Sequence, residues 1–186
     1  MKTPIGIFAG TFDPVHEGHV EFVKNALQTL GLEKIYIVPE HEPRRKQQVS
    51  PIADRVSMLK LAFEDTKQVS VYPNDQIFST FAGMMRDAKL KKVTHLLVGS
   101  DVVFGLKTWP ELEDIISKLH LAVGVRNKAD ETRIHTLMAH LGVLPSGYSI
   151  IHTKNTDKAS SQVRSKITSF HPKIQDYIKK HHLYKV

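Results

Sequence analysis

Six short apolar segments, separated by stretches with helical spacing, are the feature of this sequence that most constrains its fold. Each has the length of a strand and is bounded by polar or turn-forming residues. The candidate strands are Ile5–Ala9, Ile35–Val38, Val69–Tyr72, His95–Gly99, Leu119–Val125 and Tyr148–His152. Strands that alternate with helices predict an α/β fold, a doubly wound parallel sheet with helices on both faces. With 186 residues, 41% of them apolar, the chain is predicted to form a single domain over residues 1–186.

Charge and residue usage narrow the class of function. Lys and Arg number 26 against 19 Asp and Glu, a net charge of +7, which suits anionic ligands such as ATP and mononucleotides. The charges are scattered and show no interleaving with aromatic residues, so we expect no nucleic-acid partner. The absence of cysteine excludes disulfides, thiolate zinc sites and a cysteine nucleophile. No signal peptide or membrane-length apolar run is present, so we expect no membrane partner and a cytoplasmic location.

A turn and two histidines follow the first candidate strand. Residues 10–14 are rich in turn formers, and His16 and His19 open a stretch with helical spacing. A helix N-terminus presents unpaired N–H groups and a partial positive charge, so it attracts phosphate. Two imidazoles placed there can donate hydrogen bonds to an oxyanion or shift protons near neutral pH. The sequence therefore predicts an anion site where this strand meets the helix, at the carboxyl edge of the sheet.

The segment from residue 9 to residue 19 resembles the signature of the HxGH nucleotidyltransferase superfamily. In that family a GGTFDP-type turn leads into H-x-G-H, and here the turn reads AGTFDP before HEGH. The resemblance implies a Rossmann-like nucleotidyltransferase fold and an enzyme that joins a nucleoside triphosphate to a phosphorylated partner, releasing pyrophosphate. It implies that His16 and His19 are catalytic and steady the α-phosphate in the transition state. The ATP contacts expected from this segment are Gly10, Thr11, Phe12 and Gly18.

A polar, basic and proline-marked loop follows the second candidate strand. Val38-Pro39, Pro43 and Lys46 match in place a V-P-x-x-x-P-x-x-K loop of the adenylyltransferases that make dinucleotide cofactors. The resemblance implies that Lys46 is catalytic and meets phosphate groups during transfer. A lysine suits that role because it is a flexible point charge that can follow developing negative charge.

The next helix is predicted to have Ser50 as its N-cap and Pro51 as its first residue. Arg55 follows Asp54 on the side away from the apolar stripe and coincides with an arginine in the family's matching helix. We interpret Arg55 as a helix-surface residue rather than a ligand contact. The predicted buried stripe consists of Ile52, Val56, Leu59 and Phe63.

The segment after the fourth candidate strand resembles a G-A-D-x-x-x-x-L-x-x-W motif of the nicotinate mononucleotide family. Gly99, Asp101, Leu106 and Trp109 fall in register, and Ser100 replaces alanine. The resemblance implies that Asp101 contacts ATP, with a helix N-cap as the alternative. It also implies that Trp109 stacks on the pyridine ring of the acceptor, with core packing as the alternative.

Residues 74–86 match the family less well. A G-P-S-Y-T-like segment that helps to hold the mononucleotide is reduced here to Phe78-Ser79-Thr80-Phe81. Thr80 is the expected acceptor contact, although Ser79 or Thr80 acting as the cap of the next helix is our preferred interpretation.

Two further segments are expected to meet the nucleotide. Arg126 stands where the family has an arginine after the corresponding strand, and it is a candidate ATP contact. A superfamily signature, I-S-S-T-x-I-R, overlays residues 158–164, with Ser160, Ser161 and Arg164 matching. Hydroxyls at a helix start with an arginine one turn on form an anion site. The resemblance implies that these three residues bind the β- and γ-phosphates, and the alternative is a serine N-cap with a solvated arginine.

Together the motifs cover nearly the whole chain and most resemble the bacterial nicotinate-nucleotide adenylyltransferases. The implied reaction joins ATP to nicotinate mononucleotide by in-line attack on the α-phosphorus and gives deamido-NAD and pyrophosphate. Mg²⁺ is expected to arrive with ATP, held by phosphates and water, with no metal site of the protein's own. Two alternatives stay open. One is a related nucleotidyltransferase acting on nicotinamide mononucleotide or another phosphorylated acceptor, and the other is a non-catalytic nucleotide- or RNA-binding protein. The oligomeric state also stays open, a homo-oligomer included.

Overall fold

A six-stranded parallel sheet lies at the centre of the computed structural model, which describes residues 3–41, 49–72, 81–109, 111–125, 127–153 and 171–184. The strand order is β3-β2-β1-β4-β5-β6, so the order reverses between β1 and β4, and the predicted doubly wound sheet is confirmed. The strands are β1 Ile5–Gly10, β2 Lys34–Pro39, β3 Val69–Val71, β4 His95–Gly99, β5 His120–Val125 and β6 Tyr148–His152.

Helices cover both faces of this sheet. No helix in the described part of the chain is long and apolar enough to cross a bilayer. Within the described ranges the α-helices are α1 Glu17–Leu30, α2 Ile52–Ala62, α3 Phe81–Met85, α4 Ser100–Val103, α5 Leu112–Lys118, α6 Lys128–His140 and α7 Pro172–Lys180. Short 3₁₀ turns lie at Leu90–Lys92, Leu106–Thr108 and Pro145–Gly147.

The first core packs α1, α2 and α7 against one face of the sheet. Phe8 of β1 and Leu97 of β4 meet Phe22, Leu59 and Ile178 there. Because side chains alternate along a strand, the neighbours of Phe8 and Leu97 point to the other face. The C-terminal helix is therefore part of the layer that also carries the turn between β1 and α1.

The second core lies on the opposite face, beneath α5 and α6. Ile7 and Leu96 pack there with Ile115, Ile134 and Met138. Ile134 and Met138 of α6 are fully buried. Burial on both faces explains why the central strands read as continuous apolar runs rather than alternating ones.

Helix α1 follows the predicted spacing. Val23 and Leu27 are buried, and Val20 and Leu30 are partly buried against the same core. The helix ends at Gly31, whose φ of +58° lies in the left-handed region that favours glycine. This packing fixes the first turn of α1 relative to the end of β1.

Helix α2 begins one residue later than predicted. Pro51 is its N-cap and Ile52 its first residue, so the prediction of Ser50 as the cap is wrong. The Ser50 N–H donates to Asp13 Oδ1 at 3.3 Å, and the Ser50 carbonyl accepts from Arg55 Nε at 2.9 Å. The backbone of Ser50 is therefore held outside the helix by tertiary contacts.

Two histidines face each other at the amino ends of β4 and β5, on the edge of the sheet away from the β1–α1 turn. The imidazole centroids of His95 and His120 are 5.0 Å apart. His95 Nδ1 lies 2.8 Å from Thr94 Oγ1, and His120 Nε2 lies 2.8 Å from Ser149 Oγ. Burial lowers the pKa of His95, and the neighbouring His120 lowers it further. Burial also lowers the pKa of His120, opposed in part by a backbone contact at Ser146.

These depressed pKa values predict loss of stability in acid. Both folded-state pKa values lie below the ordinary 6.5. As the pH falls through 6.5, the unfolded chain therefore binds more protons than the folded chain does. The stabilisation is fully present above about pH 6.5 and declines below it until the folded-state pKa values are reached. Urea unfolding at pH 7.5 and 5.5 measures the decline. In the double variant His95→Gln/His120→Gln, the unfolding free energy should differ less between the two pH values. In His140→Gln, a change at an exposed position, the difference should be that of the wild type. A wild-type difference in the double variant would assign the effect to other groups.

Candidate functional site

The turn between β1 and α1 is tightly packed. Of the six residues between Gly10 and Glu17, the four from Phe12 to Val15 are buried. Phe12 has a φ of +50°, and the Asp13–Pro14 peptide bond is cis. A non-glycine residue with positive φ is uncommon and persists only where the surrounding structure holds it. The backbone of this turn is thus fixed by its neighbours rather than by local preference.

The Phe12 ring supports one of the histidines. Its edge meets Phe8 at a centroid distance of 5.1 Å and His19 at 5.2 Å. A Cβ on Gly10 would lie 3.2 Å from this ring, so glycine at position 10 allows the ring to fold back against the strand. Because the Phe12 side chain is only 3% exposed, any contact of Phe12 with ATP would use its backbone.

The predicted histidine pair forms the N-terminus of α1. His16 is the N-cap and His19 the third residue of the helix. The rings stack at a centroid distance of 3.7 Å, and the His16 backbone N–H donates to His19 Nδ1 at 3.2 Å. With Nδ1 accepting, the neutral His19 imidazole carries its hydrogen on Nε2. His19 Nε2 is therefore a hydrogen-bond donor at the helix N-terminus.

The first turn of α1 adds a second attraction for anions. Glu17 and Gly18 are its first two residues, and Gly18 is half-buried beside the stacked imidazoles. Backbone N–H groups of a first helical turn lack intrahelical partners and carry partial positive charge. Imidazole donors and helix N–H groups together can stabilise negative charge developing on a phosphate.

Arg55 corrects the interpretation drawn from the sequence. It is 1% exposed, so it is not a helix-surface residue. Nη1 donates to the Thr11 carbonyl at 2.7 Å and to the Glu40 carbonyl at 2.8 Å, and Nη2 donates to the His41 carbonyl at 3.3 Å. With its Nε bond to Ser50, the guanidinium uses its planar fork to bind four backbone carbonyls.

These carbonyls show what Arg55 connects. Thr11 belongs to the turn, while His41 and Ser50 stand on either side of residues 42–48. Lys46 is within that segment and lies outside the described residues. Burial lowers the pKa of Arg55, and the negative charge of Asp13 is the largest influence that raises it. Arg55 thus binds the turn between β1 and α1 and also the backbone on both sides of residues 42–48, the segment that contains Lys46.

Asp13 is the buried carboxylate beside this guanidinium. It is 1% exposed, and its Oδ1 accepts hydrogen bonds from the Ser50 N–H at 3.3 Å and from the Tyr184 hydroxyl at 2.5 Å. We call Asp13, Ser50, Arg55 and Tyr184 the buried polar cluster, after Asp13 and Arg55, which are buried; Ser50 and Tyr184 are half-buried. Sequence reasoning did not find it, although Arg55 precedes the buried Met58 and Leu59 by three and four residues, which places it on the buried face of α2.

Strand β4 delivers Asp101 to the same edge of the sheet. β4 pairs in parallel with β1, so their carboxyl ends lie together at the point where the strand order reverses. Asp101 is exposed and is the second residue of α4. Gly99 is the N-cap of α4, so the alternative that Asp101 caps this helix is wrong. Contact of Asp101 with ATP stays a prediction.

Trp109 follows the 3₁₀ turn at Leu106–Thr108 and is half-buried. Its ring lies 6.3 Å from the Phe81 ring between centroids, and it packs against the second core. One part of the indole therefore serves the core, and the remainder reaches solvent. The stacking role of Trp109 toward the acceptor stays a prediction.

The other predicted site residues lie outside the described residues, so their roles also stay predictions. These residues are Lys46, Thr80, Arg126, Ser160, Ser161 and Arg164. Across the described ranges, no group of three or more His, Asp or Glu side chains could hold a metal ion.

Comparisons with known proteins match the fold and identify the family. The chain is 30% identical over 198 residues to a protein of Listeria monocytogenes named "Probable nicotinate-nucleotide adenylyltransferase", covering 99% of this chain and 98% of that one. The fold of the present chain matches two structures of a Plasmodium falciparum nicotinic acid mononucleotide adenylyltransferase. One, complexed with NaAD, gives a TM-score of 0.73 at 21% identity and covers 98% of this chain and 97% of that one. The other, complexed with APC, gives 0.72 at 20% identity with the same coverage.

A family model described as "Cytidylyltransferase-like" matches residues 7–166. The match begins in β1 and includes the H-x-G-H turn, β4 and the predicted serine–arginine segment. Because this match covers more than half of the chain, including the histidines at the switch in strand order, the chain belongs to the cytidylyltransferase-like family.

Proposed function

We propose that this chain is a nicotinate-nucleotide adenylyltransferase, which transfers the adenylyl group of ATP to nicotinate mononucleotide and forms deamido-NAD (NaAD) and pyrophosphate. The observation that carries the proposal is the pair of stacked imidazoles at the N-terminus of α1, next to the switch in strand order. The full-length similarity to the Listeria relative favours nicotinate mononucleotide as the acceptor.

The reaction needs no nucleophile from the protein. An oxygen of the mononucleotide phosphate attacks the α-phosphorus of ATP and forms a new P–O bond. The bond between the α-phosphorus and the bridging oxygen breaks, and pyrophosphate leaves with its electron pair. Catalysis then consists of aligning the two substrates and stabilising charge on the transferring group.

His16 and His19 supply that stabilisation at the α-phosphate. His19 is already oriented by the hydrogen bond to its Nδ1, so its Nε2–H can donate without reorganisation at the moment of transfer. The Gly18 N–H in the first turn of α1 acts on the same charge. The backbone at Gly10, Thr11 and Phe12 forms the wall of this site.

The remaining contacts follow from the family resemblance. Lys46 would follow the phosphates during transfer, and Ser160, Ser161 and Arg164 would receive the departing pyrophosphate. Asp101 and Arg126 would contact the nucleotide portion of ATP, and Thr80 and Trp109 would hold the acceptor. Mg²⁺ enters as part of the substrate MgATP, bound by triphosphate oxygens and water, the coordination this ion usually keeps.

A pyrophosphate-release assay tests the proposal. We expect release in the presence of ATP and nicotinate mononucleotide, with NaAD formed in equal amount, and a lower kcat/KM with nicotinamide mononucleotide or phosphopantetheine. Omission of the acceptor is the control. A higher kcat/KM with another acceptor would reassign the substrate. ATP binding without pyrophosphate release from any acceptor would mean a non-catalytic nucleotide-binding protein.

A further inference from the structure

We propose that Tyr184 is a positioning residue for adenylyl transfer, holding the H-x-G-H turn in its active geometry through Asp13. The inference rests on the proposed function, since it assigns to Tyr184 an effect on the turnover of that reaction. Its structural part, that Tyr184 restrains the turn, can be measured without activity.

The contact between Tyr184 and Asp13 is short and partly buried. The Tyr184 hydroxyl donates to Asp13 Oδ1 at 2.5 Å across 171 residues of sequence. Hydrogen bonds from a hydroxyl to a carboxylate of this length are charge-assisted and stronger than neutral ones. The same oxygen also accepts the Ser50 N–H, so Asp13 links Tyr184 to the residue that precedes the N-cap of α2.

The bond acts on the one residue of the turn in a left-handed conformation. Phe12 stands between Thr11, whose carbonyl is bound by Arg55, and Asp13, whose carboxylate is bound by Tyr184. Both neighbours of Phe12 are therefore anchored to other parts of the fold. Because the Phe12 ring packs against His19, movement of Phe12 would displace an imidazole that stabilises the α-phosphate.

Tyr184 is itself held by the seating of α7. Ile174 and Ile178 of this helix are buried, and the Leu183 N–H bonds to the Ile178 carbonyl at 3.0 Å. Tyr184 has a φ of +57° and packs, partly buried, against the first core. The residues that follow α7 thus place the Tyr184 hydroxyl against Asp13 of the turn between β1 and α1.

The same helix provides a matched control. The Tyr177 hydroxyl donates to Asp54 Oδ1 at 2.8 Å, which also ties α7 to α2. Asp54 makes this contact on α2, outside the β1–α1 turn. Tyr177→Phe and Tyr184→Phe therefore each remove one hydroxyl-to-carboxylate bond between the C-terminal region and the rest of the chain, and only the second bond reaches the turn.

The experiment compares steady-state formation of NaAD by the wild type and the two variants. We expect Tyr184→Phe to lower kcat about tenfold with KM for ATP changed by less than about twofold, because a bond to a charged group that supports the transition state is lost. Tyr177→Phe should keep the wild-type kcat. Both variants should lower the melting temperature by similar amounts, since each loses one hydroxyl-to-carboxylate hydrogen bond. A wild-type kcat in Tyr184→Phe, or equal losses of kcat in both variants, would overturn the inference.

Hydrogen exchange gives the readout that does not depend on activity. Tyr184→Phe should speed amide exchange in residues 11–16, and Tyr177→Phe should not. In an Asp13→Asn background, Tyr184→Phe should add little further loss of kcat, because the two residues act through one bond. If the wild type formed no NaAD, the proposed function would fail, and unchanged exchange of the turn in Tyr184→Phe would separately reject the positioning role.

Discussion

His19→Ala lowers kcat for NaAD formation by about a hundredfold or more, the expected effect of removing a donor that stabilises developing negative charge. The KM for ATP should change little, because the lost interaction strengthens mainly in the transition state. Loss of the Nδ1 acceptor for the His16 N–H should also cost about 1 kcal/mol of folding free energy. Steady-state kinetics with nicotinate mononucleotide, together with a melting curve, separates these two effects.

The matched control for this prediction is His140→Ala. His140 is exposed at the last turn of α6, and this variant should keep the wild-type kcat. A His19→Ala enzyme that is folded and turns over at the wild-type rate would remove His19 from the mechanism.

Arg55→Met is expected to cause the largest loss of stability, about 3 kcal/mol or more of unfolding free energy. The substitution leaves the buried Asp13 carboxylate beside an apolar side chain and removes hydrogen bonds from the carbonyls of Thr11, Glu40, His41 and Ser50. Arg55→Lys should also be destabilising, because an ammonium lacks the planar fork that reaches these oxygens. Urea denaturation at neutral pH measures the change.

Lys60→Met on the exposed side of α2 is the control for Arg55, and it should change the unfolding free energy by less than about 0.5 kcal/mol. Adding Asp13→Asn to Arg55→Met should recover part of the loss, since the uncompensated buried charge is removed. If Arg55→Met were as stable as the wild type, the guanidinium would have no structural role in the buried polar cluster.

The strands could be predicted from the sequence because their signal is local. Each predicted strand begins and ends within one residue of the observed strand, since each is a short apolar run bounded by turn residues. The position of His16 and His19 could be predicted from the same pattern, because a strand that ends at Gly10 places the next residues of the chain at the carboxyl edge. Strand order β1–β4 then places this turn at the switch point.

The support beneath the turn could not be found in this way. The sequence places Arg55 on the helix surface because a charged residue is usually solvated, whereas in the fold backbone carbonyls replace water as its partners. Its helical register with Met58 and Leu59 was the available signal. Tyr184 offered no local signal at all, since its partner is 171 residues away in sequence and only the folded chain brings the two together.

The distance in sequence between Asp13 and Tyr184 has a consequence for biosynthesis. Translation proceeds from the amino end, so the catalytic turn leaves the ribosome 171 residues ahead of the tyrosine that anchors it. At about 5–20 residues per second this interval lasts roughly 10–35 s. A nascent chain in that interval has both histidines but lacks the Tyr184 hydroxyl that binds Asp13. If Tyr184 positions the turn as proposed, the turn reaches its full activity only after α7 has been synthesised and has docked.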